Sequence, residues 1–162
     1  MTTIACNMKE MAADTKVSCE GIGTDVYSSL KLFTAHGSIY GVHGEDCSGQ
    51  IRGIEWLQQG AIPDNRPDPP AEADWHILAL TPRGIAIYNT WMEKDPLLER
   101  CIAVGSGRKV ALYCMKFLGM SPAQAVYEAC KADDWTDTPI YVASLADPVP
   151  RRWTPAKKKR KA

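Results

Sequence analysis

Apolar and polar positions alternate over two pairs of short segments in the first part of the chain. Residues 2–7 and 11–17 are rich in β-branched and small apolar residues, with a polar turn between them. Residues 29–34 and 38–42 form a second pair, joined through His36-Gly37. Segments of this composition, bounded by polar or glycine breaks, are typical of strands. The pattern therefore predicts two hairpins.

The pattern changes to helical spacing after the second hairpin. Apolar residues between positions 46 and 59 recur at near-helical intervals, and Gly60 follows as a stop signal. Residues 61–74 contain four prolines and four acidic residues. That composition predicts an exposed loop rather than a core element.

The second half of the chain predicts further strands, two helices and a last strand. Gly105-Ser106-Gly107 separates a short apolar strand from a helix, and Ser121-Pro122 is a favourable cap and first-turn pair for the next helix. This order predicts an α+β fold in which antiparallel sheets are sandwiched and covered by helices. The predicted strands are 75–80, 85–91, 101–104 and 138–145, and the predicted helices are 108–118 and 122–131.

Chain length and composition predict one domain followed by a tail. A chain of 162 residues can bury about two-thirds of its unfolded surface without a metal or disulfide. We assign residues 1–145 to the domain, and 146–162, rich in proline and basic residues, to a mostly disordered tail. With 19 basic and 19 acidic residues, the chain as a whole has no bias towards nucleic acid or membranes. Only the basic run of the tail leaves a nucleic-acid or acidic partner open, through Lys157, Lys158, Lys159, Arg160 and Lys161.

The cysteine pattern favours a cytoplasmic protein. Six cysteines are scattered along the chain with no CxxC pair, which is typical of free thiols in a reducing compartment. The sequence contains no recognisable secretory signal and no apolar run of membrane-spanning length.

The opening Met1-Thr2-Thr3 suggests an N-terminal nucleophile. Methionine aminopeptidases act where the second residue is small, so we expect Thr2 to become the first residue. Its α-amino group, with a pKa of about 7.7–8.0, could then accept the proton of the threonine's own hydroxyl. Nucleophile and general base would share one residue. Because many unrelated proteins begin Met-Thr, the hypothesis depends on companion residues.

Such a threonine needs a cation, a carboxylate to hold the cation, and hydrogen-bond donors. Asp14 lies where the second predicted strand ends, and Lys31 lies in the third. A lysine there would lower the pKa of the threonine hydroxyl, whereas the more common role of such a pair is a surface ion pair between strands. Ser106, between two glycines at a strand-to-helix turn, could present a hydroxyl and backbone donors or simply cap the helix.

Together these motifs resemble the threonine peptidase family formed by proteasome β subunits and bacterial HslV. In that family a terminal Thr-Thr opens the first strand, and an Ala-Ala-Asp-Ser/Thr-Arg/Lys-x-Thr/Ser segment supplies an aspartate. Residues 12–18 match this segment nearly residue for residue. Lys31 stands ten residues before Gly41, as the family's lysine stands before a strand glycine.

The second half of the chain matches two further motifs of the family. Ser106 lies in a Gly-Ser-Gly turn, which in the family supplies a serine near the amine. Asp133 with Thr136 fits the family's aspartate three residues before a serine or threonine. Asp134 and Asp137 lie close by, so the identity of the active-site aspartate stays open.

The resemblance covers nearly the whole chain before the tail and implies a four-layer αββα sandwich, the Ntn-hydrolase fold. It implies that Thr2 attacks a peptide carbonyl while Lys31, held by Asp14, lowers the pKa of its hydroxyl. Ser106 with its aspartate and threonine partners would orient the amine, and Gly44 N–H would stabilise the oxyanion. An acyl-enzyme ester would form and be hydrolysed by water, without a cofactor.

The chain departs from the family pattern beside the proposed oxyanion site. Where the family has Ala-Gly-Gly, this chain has His43-Gly44, so His43 would fill part of the substrate pocket or pack inward. The first hairpin is shorter than in the family, and the proline-rich loop and basic tail have no counterpart. No metal site is predicted, because the crowded residues His43, Glu45, Asp46 and Cys47 lack a second cluster at ligand spacing.

The resemblance also implies partners. It implies a peptide or unfolded-protein substrate and a homo-oligomer, as stacked rings or an open spiral with inward-facing active sites. An ATP-dependent unfoldase is implied by the resemblance alone. Two rival functions stay open: an Ntn amidohydrolase acting on a small amide, and a non-catalytic structural or assembly subunit that works through its basic tail.

Overall fold

Two five-stranded antiparallel sheets form the centre of the molecule. The structure is a computed structural model that describes residues 2–18, 26–44, 47–68 and 74–155. The helices in these ranges are α1 (Cys47–Gln58), α2 (Arg108–Leu118) and α3 (Pro122–Ala129), with a 3-10 turn at Pro63–Asn65. The strands are β1 (Thr3–Asn7), β2 (Glu10–Ala13), β3 (Lys16–Ser18), β4 (Val26–Ser28), β5 (Leu32–Ala35), β6 (Ser38–Gly44), β7 (Trp75–Thr81), β8 (Gly84–Tyr88), β9 (Lys94–Pro96), β10 (Cys101–Gly105), β11 (Ile140–Ser144) and β12 (Asp147–Trp153).

The chain's first strand lies inside the first sheet. That sheet has the order β10-β1-β2-β11-β12, and Ile4 of β1 pairs with Val104 on one side and Ala13 on the other. The second sheet has the order β5-β6-β7-β8-β9, and β3 and β4 form a separate ribbon. The start of β1 is therefore flanked by the end of β10 and the end of β2.

Side-chain alternation along β1 places its residues in two separate apolar layers. Ile4 and Cys6 are fully buried against residues of the second sheet, including Leu32 and Leu78. Ala5, which points to the opposite face, packs against the helices. Two sheets packed by alternate residues in this way enclose one apolar layer between them.

Helices cover the outer faces of both sheets. Small residues of α2 and α3, among them Ala111 and Ala125, lie against the outer face of the first sheet. Trp56 and Leu57 of α1 pack on Trp75 of the second sheet. The layer order is thus helices, sheet, sheet, helix, which is the predicted four-layer αββα arrangement.

The predicted C-terminal tail is wrong over Asp147–Trp153, because these residues form β12. The strand pairs with β11 in the register Ile140↔Trp153, and Trp153 packs on Tyr127 with ring centroids 5.6 Å apart. Two prolines in this segment favour a loop when the sequence is considered alone. A strand at the edge of a sheet tolerates them, because its outer N–H groups have no partner to bond. The basic run that begins at Lys157 lies outside the described residues.

Other differences concern short elements. The third predicted strand begins at Leu32 rather than residue 29, which leaves Lys31 just before β5. The predicted strand 85–91 ends at Tyr88, where the side chain of Asn89 accepts hydrogen bonds from the N–H groups of Trp91 and Glu93. The predicted strand 11–17 is interrupted at Asp14 and Thr15, which divides it into β2 and β3. Strands β4 and β9 were not predicted, since three-residue strands carry too few positions for a pattern.

Cys6, Cys101, Cys114 and Cys130 have free thiols. None of the helices that the structure describes is long and apolar enough to cross a bilayer.

Candidate active site

Buried polar side chains gather at the start of β1. Of the eight buried polar residues in the described part of the chain, six lie at or beside this point. Burying a polar group is costly unless it is hydrogen-bonded. A concentration of such groups at one end of a strand is therefore a candidate functional site. The six are Thr2, Thr3, Asp14, Thr15, Lys31 and Thr136.

The centre of this cluster is a buried ion pair between Asp14 and Lys31. Lys31 Nζ donates to Asp14 Oδ1 over 2.8 Å, and the two side chains are only 5% and 0% exposed. The same Oδ1 accepts the backbone N–H of Thr3 at 2.8 Å, and Oδ2 accepts that of Lys16 at 3.1 Å. Lys31 Nζ also donates to the carbonyl of Lys16 at 2.6 Å. The ammonium therefore lies next to the backbone that joins Thr2 to Thr3.

Burial weakens the charged forms of both partners. It raises the pKa of Asp14, against the opposing effects of Lys31 and of the two backbone N–H donors. It lowers the pKa of Lys31, against the opposing effect of Asp14. A lysine whose pKa is lowered in this way gives up a proton more readily than a solvated one. The pair thus provides a nearby cation that can also take part in proton movement.

The Gly-Ser-Gly turn fixes the backbone of Thr2. The carbonyl of Thr2 accepts the N–H of Ser106 at 3.0 Å, and Thr2 as a whole is 8% exposed. Gly105 has a φ of 91°, and a Cβ added there would lie 1.6 Å from the carbonyl oxygen of Thr2. Only glycine fits that position, so Gly105 shapes the backbone beside Thr2, a role that the sequence reasoning did not single out. The Gly-Ser-Gly motif was the signal for it.

The Ser106 side chain joins Asp133 and Thr136. Asp133 Oδ2 accepts the hydroxyl of Ser106 at 2.7 Å and that of Thr136 at 2.5 Å. Asp134 is exposed and uses its carbonyl as the acceptor for Lys16 Nζ. Asp137 is also exposed and accepts the N–H of its neighbour Thr138. Geometry thus singles out Asp133 from the three candidate aspartates.

Asp133 remains ionised at neutral pH. Partial burial alone would raise its pKa, but hydrogen bonds from Ser106 and Thr136 outweigh that effect, and the pKa lies below the ordinary 3.8. The backbone N–H of Trp135 and the charge of Lys16 act in the same direction. A carboxylate that accepts several donors favours its charged form. The segment after α3 therefore places a negatively charged carboxylate against the Ser106 hydroxyl.

Two threonines that sequence reasoning missed complete the cluster. Thr3 is fully buried, and its Oγ1 contacts Thr136 Oγ1 at 2.6 Å and accepts the N–H of Gly107 at 2.9 Å. Thr15 Oγ1 donates to the carbonyl of Pro139 at 2.9 Å. Both residues stand beside predicted site residues in the sequence, and their hydroxyls were the available signal.

His43 and Gly44 lie at the end of β6. Gly44 is exposed with a φ of 123°, and a Cβ there would come within 2.4 Å of the backbone of Trp75. His43 pairs with His76 of β7, and the two rings stack with centroids 5.4 Å apart. Burial, and then the neighbouring His76, lower the pKa of His43 to about 4. Its Nε2 is buried and has no hydrogen-bond partner among the described residues.

The described residues contain no metal-binding group. No three His, Cys, Asp or Glu side chains among them converge closely enough to hold an ion. Glu45 and Asp46 lie outside the described residues, as does the side chain of Cys47.

Comparison with known proteins identifies the fold. No family model and no curated protein matches this sequence. Eukaryotic HslV from Trypanosoma brucei is similar in structure, with a TM-score of 0.68 at 15% identity over 88% of this chain and 98% of that one. BPH from Thiobacillus denitrificans is similar with a TM-score of 0.56 at 18% identity, over 89% of this chain and 97% of that one. BPH in complex with epoxomicin gives a TM-score of 0.55 at 17% identity, over 89% and 98% of the two chains.

These similarities extend over nearly the full length of both chains, and they confirm the fold that the sequence motifs imply. The chain has the four-layer Ntn-hydrolase fold of HslV.

Proposed function

We propose that this chain is an N-terminal-threonine peptidase of the proteasome and HslV type. The observation that supports it most strongly is the buried Asp14–Lys31 pair, hydrogen-bonded to the amide of Thr3 and so adjacent to Thr2. A buried ion pair contributes little net stability compared with apolar packing. Its presence at the start of β1 is therefore better explained by chemistry than by folding.

Thr2 Oγ is the proposed nucleophile, once Met1 has been removed. Ile4 and Cys6 face the second sheet, so strand alternation leads us to expect the side chain of Thr2 on the same side. Lys31 would stabilise the alkoxide form of that hydroxyl. Its charge acts through a poorly solvated interior, where electrostatic interactions are stronger than in water.

The α-amino group of Thr2 is the proposed general base. It would take the proton of Oγ and later donate it to the leaving amine. Ser106, with Asp133 and Thr136 behind it, would orient this amine. The backbone bond between Ser106 N–H and the Thr2 carbonyl supports this role, because it holds the two residues side by side.

Gly44 N–H is the proposed oxyanion donor, and His43 the proposed wall of the substrate pocket. The left-handed φ of Gly44 leaves its N–H in an orientation that other residues rarely adopt. A backbone donor aimed at the developing charge stabilises the tetrahedral intermediate. His43 would meet substrate as a neutral ring, because its pKa of about 4 lies well below neutral pH. The resulting acyl-enzyme would be hydrolysed by water, and no cofactor takes part.

We further propose that the chain works as a homo-oligomer, in rings or a spiral that enclose the active sites. On α2, Tyr113 and Phe117 are 56% and 73% exposed, and their ring centroids lie 5.2 Å apart, so they form a contiguous apolar surface. Such surfaces commonly mark contacts between subunits. A closed chamber would suit a peptide or unfolded-protein substrate, which an ATP-dependent unfoldase would deliver in the cytoplasm.

The two rival functions predict different results. An amidohydrolase acting on a small amide is favoured by an open monomer or dimer, so the oligomeric state measured by native mass spectrometry separates it from the peptidase. A structural or assembly subunit that works through its tail is favoured if deletion of residues 156–162 abolishes partner binding and leaves peptide cleavage unchanged.

The proposed function is tested by replacing the nucleophile. Thr2→Ala should lower the rate of fluorogenic-peptide cleavage by at least about 10³-fold, because no other group can form the acyl-enzyme. Thr154→Ala is the matched control, since Thr154 is an exposed threonine beyond β12, and it should cleave at the wild-type rate. Peptide cleavage by Thr2→Ala at the control's rate would overturn the proposal.

A further inference from the structure

The hydroxyl of Thr3 begins a chain of hydrogen bonds that ends at Asp133. Thr3 Oγ1 contacts Thr136 Oγ1 at 2.6 Å, and Thr136 Oγ1 contacts Asp133 Oδ2 at 2.5 Å. Ser106 Oγ reaches the same Oδ2 at 2.7 Å. Thr3 and Thr136 are 0% and 2% exposed, so solvent competes little for these bonds.

The direction of every bond in this chain is fixed. A hydroxyl has a single proton, and a carboxylate can only accept. Thr136 must therefore donate to Asp133, and it can only accept from Thr3. Thr3 then donates its own proton to Thr136 and uses its lone pair to accept Gly107 N–H at 2.9 Å.

The chain connects the start of a helix with a carboxylate. Gly107 is the N-cap residue of α2 and makes no side-chain cap of its own. The N–H groups at a helix N-terminus carry a positive partial charge. The hydroxyl of Thr3 therefore connects the positive partial charge at the start of α2 with Thr136, and Thr136 connects it with the negative charge of Asp133. Hydrogen bonds arranged head to tail in this way strengthen one another.

We infer that Thr3 is a positioning residue of the proposed peptidase, whose hydroxyl fixes Thr136 and Asp133 so that Ser106 presents only lone pairs to the Thr2 amine. The inference rests on the proposed function. Since the Ser106 proton is committed to Asp133, its oxygen is left to accept an N–H of the amine. The second threonine of the opening pair thus supports the first, although their side chains point to opposite faces of the strand.

The other charged and titratable groups near Asp133 do not take the place of the hydrogen bonds that run from Thr3 through Thr136. Lys16, on β3, is the nearby cation and favours the ionised carboxylate. Burial raises the pKa of Cys130 to about 12, so this thiol is neutral. Cys130 also interacts electrostatically with Asp14 and with Lys31, and Asp134 and Asp137 are exposed on the same segment as Asp133.

Replacing the hydroxyl of Thr3 with a methyl group tests the inference. In Thr3→Val the pKa of Asp133, followed by NMR titration of its side-chain carboxyl carbon, should rise relative to wild type. The value of kcat for peptide cleavage should fall about tenfold with KM unchanged, the rate change that one ordinary hydrogen bond supports. Thr3→Ser retains the hydroxyl and should restore both values.

A control variant separates this effect from the general loss of a hydrogen-bonded threonine hydroxyl. Thr81→Val removes a strand threonine hydroxyl that donates to the carbonyl of Gly84, far along the chain from the site, and should change neither value. If Thr3→Val does not fold, Thr3→Ala removes the hydroxyl with a smaller side chain and serves the same purpose.

Two outcomes would overturn the inference. One is a carboxyl titration of Asp133 that is the same in Thr3→Val and wild type. The other is a Thr3→Ser protein that behaves like Thr3→Val, because packing rather than the hydroxyl would then be responsible. A wild-type protein that cleaves no peptide would instead refute the proposed function, while the NMR titration would still decide whether the hydroxyl chain acts on Asp133.

Discussion

At the scale of single residues, the molecule concentrates its unusual features around Thr2. Asp14 is fully buried yet accepts three N–H donors, and Lys31 is 4% exposed yet directs its Nζ at the Asp14 carboxylate. Gly105 has no room for a side chain because the carbonyl of Thr2 fills the space. Each of these features has a local cost in solvation or backbone freedom, and all of them lie within one small region.

The buried ion pair predicts a large and specific loss of stability. Asp14→Asn keeps the size of the side chain but leaves the ammonium of Lys31 buried without a counter-charge. We expect the free energy of unfolding in urea to fall by about 3–5 kcal/mol. Glu128→Gln is the matched control, because the Glu128–Lys131 pair is exposed, and it should lose less than about 1 kcal/mol. Equal losses in the two variants would contradict the assignment of a buried, ionised pair.

The lowered pKa of His43 predicts an acid-side loss of stability. The unfolded chain takes up a proton at this residue near pH 6.5, whereas the folded chain does so only near pH 4. The free energy of unfolding should therefore fall as the pH drops from 6.5 towards 4, by at most about 1.4 kcal/mol per pH unit from this residue. His43→Phe should make the curve flatter over this range.

The control for this prediction is a histidine in a different setting. His36→Asn changes an exposed turn residue with a left-handed φ of 49° and leaves His43 in place, so it should retain the acid-side loss. A His43→Phe protein with the same pH dependence as wild type would show that His43 titrates in the folded state as it does in the unfolded chain.

At the scale of elements, the sequence was most informative where local rules decide the structure. Helix α2 has its predicted bounds, and α3 begins at Pro122 behind Ser121 as predicted. The strand β12 was missed because its prolines are tolerated only at a sheet edge, and edge position depends on the whole fold. The ribbon partner of β3 was missed for a similar reason, since three residues acquire strand structure only from their neighbour.

Some residues of the candidate site could likewise be identified from sequence motifs, whereas other roles required the three-dimensional structure. Asp14, Lys31, Ser106 and Asp133 could be named from motifs, because a spacing along the chain is enough to recognise each of them. The role of Thr3 could not be named, because its partner Thr136 lies 133 residues away in the sequence. Choosing Asp133 over its neighbours also required the position of Ser106.

The capping box of α3 predicts a modest effect on stability without an effect on chemistry. The Ser121 side chain accepts Gln124 N–H, and the Gln124 side chain accepts Ser121 N–H in return. Ser121→Ala should lower the free energy of unfolding by about 1 kcal/mol and leave kcat unchanged. Ser121→Asp keeps an N-cap acceptor and should retain most of the stability. A large fall in kcat for Ser121→Ala at full stability would contradict a purely structural role for this cap.

At the scale of the whole molecule, the four-layer fold brings together the ends of separate strands at one point. The start of β1, the ends of β2 and β10, and the segment before β5 supply Thr2, Asp14, Ser106 and Lys31. The segment between α3 and β11 adds Asp133 and Thr136. These residues are distant in sequence, so the site forms only when both sheets are assembled.

The central claim is that the Thr2 hydroxyl and its own free amine form the reactive centre. The most direct measurement is intact and peptide-level mass spectrometry of the protein after incubation with epoxomicin, the compound that BPH was solved with. We predict a protein that lacks Met1 and carries one adduct, mapped to Thr2 and absent from Thr2→Ala. A protein that retains Met1, or that carries no adduct at Thr2, would contradict the claim.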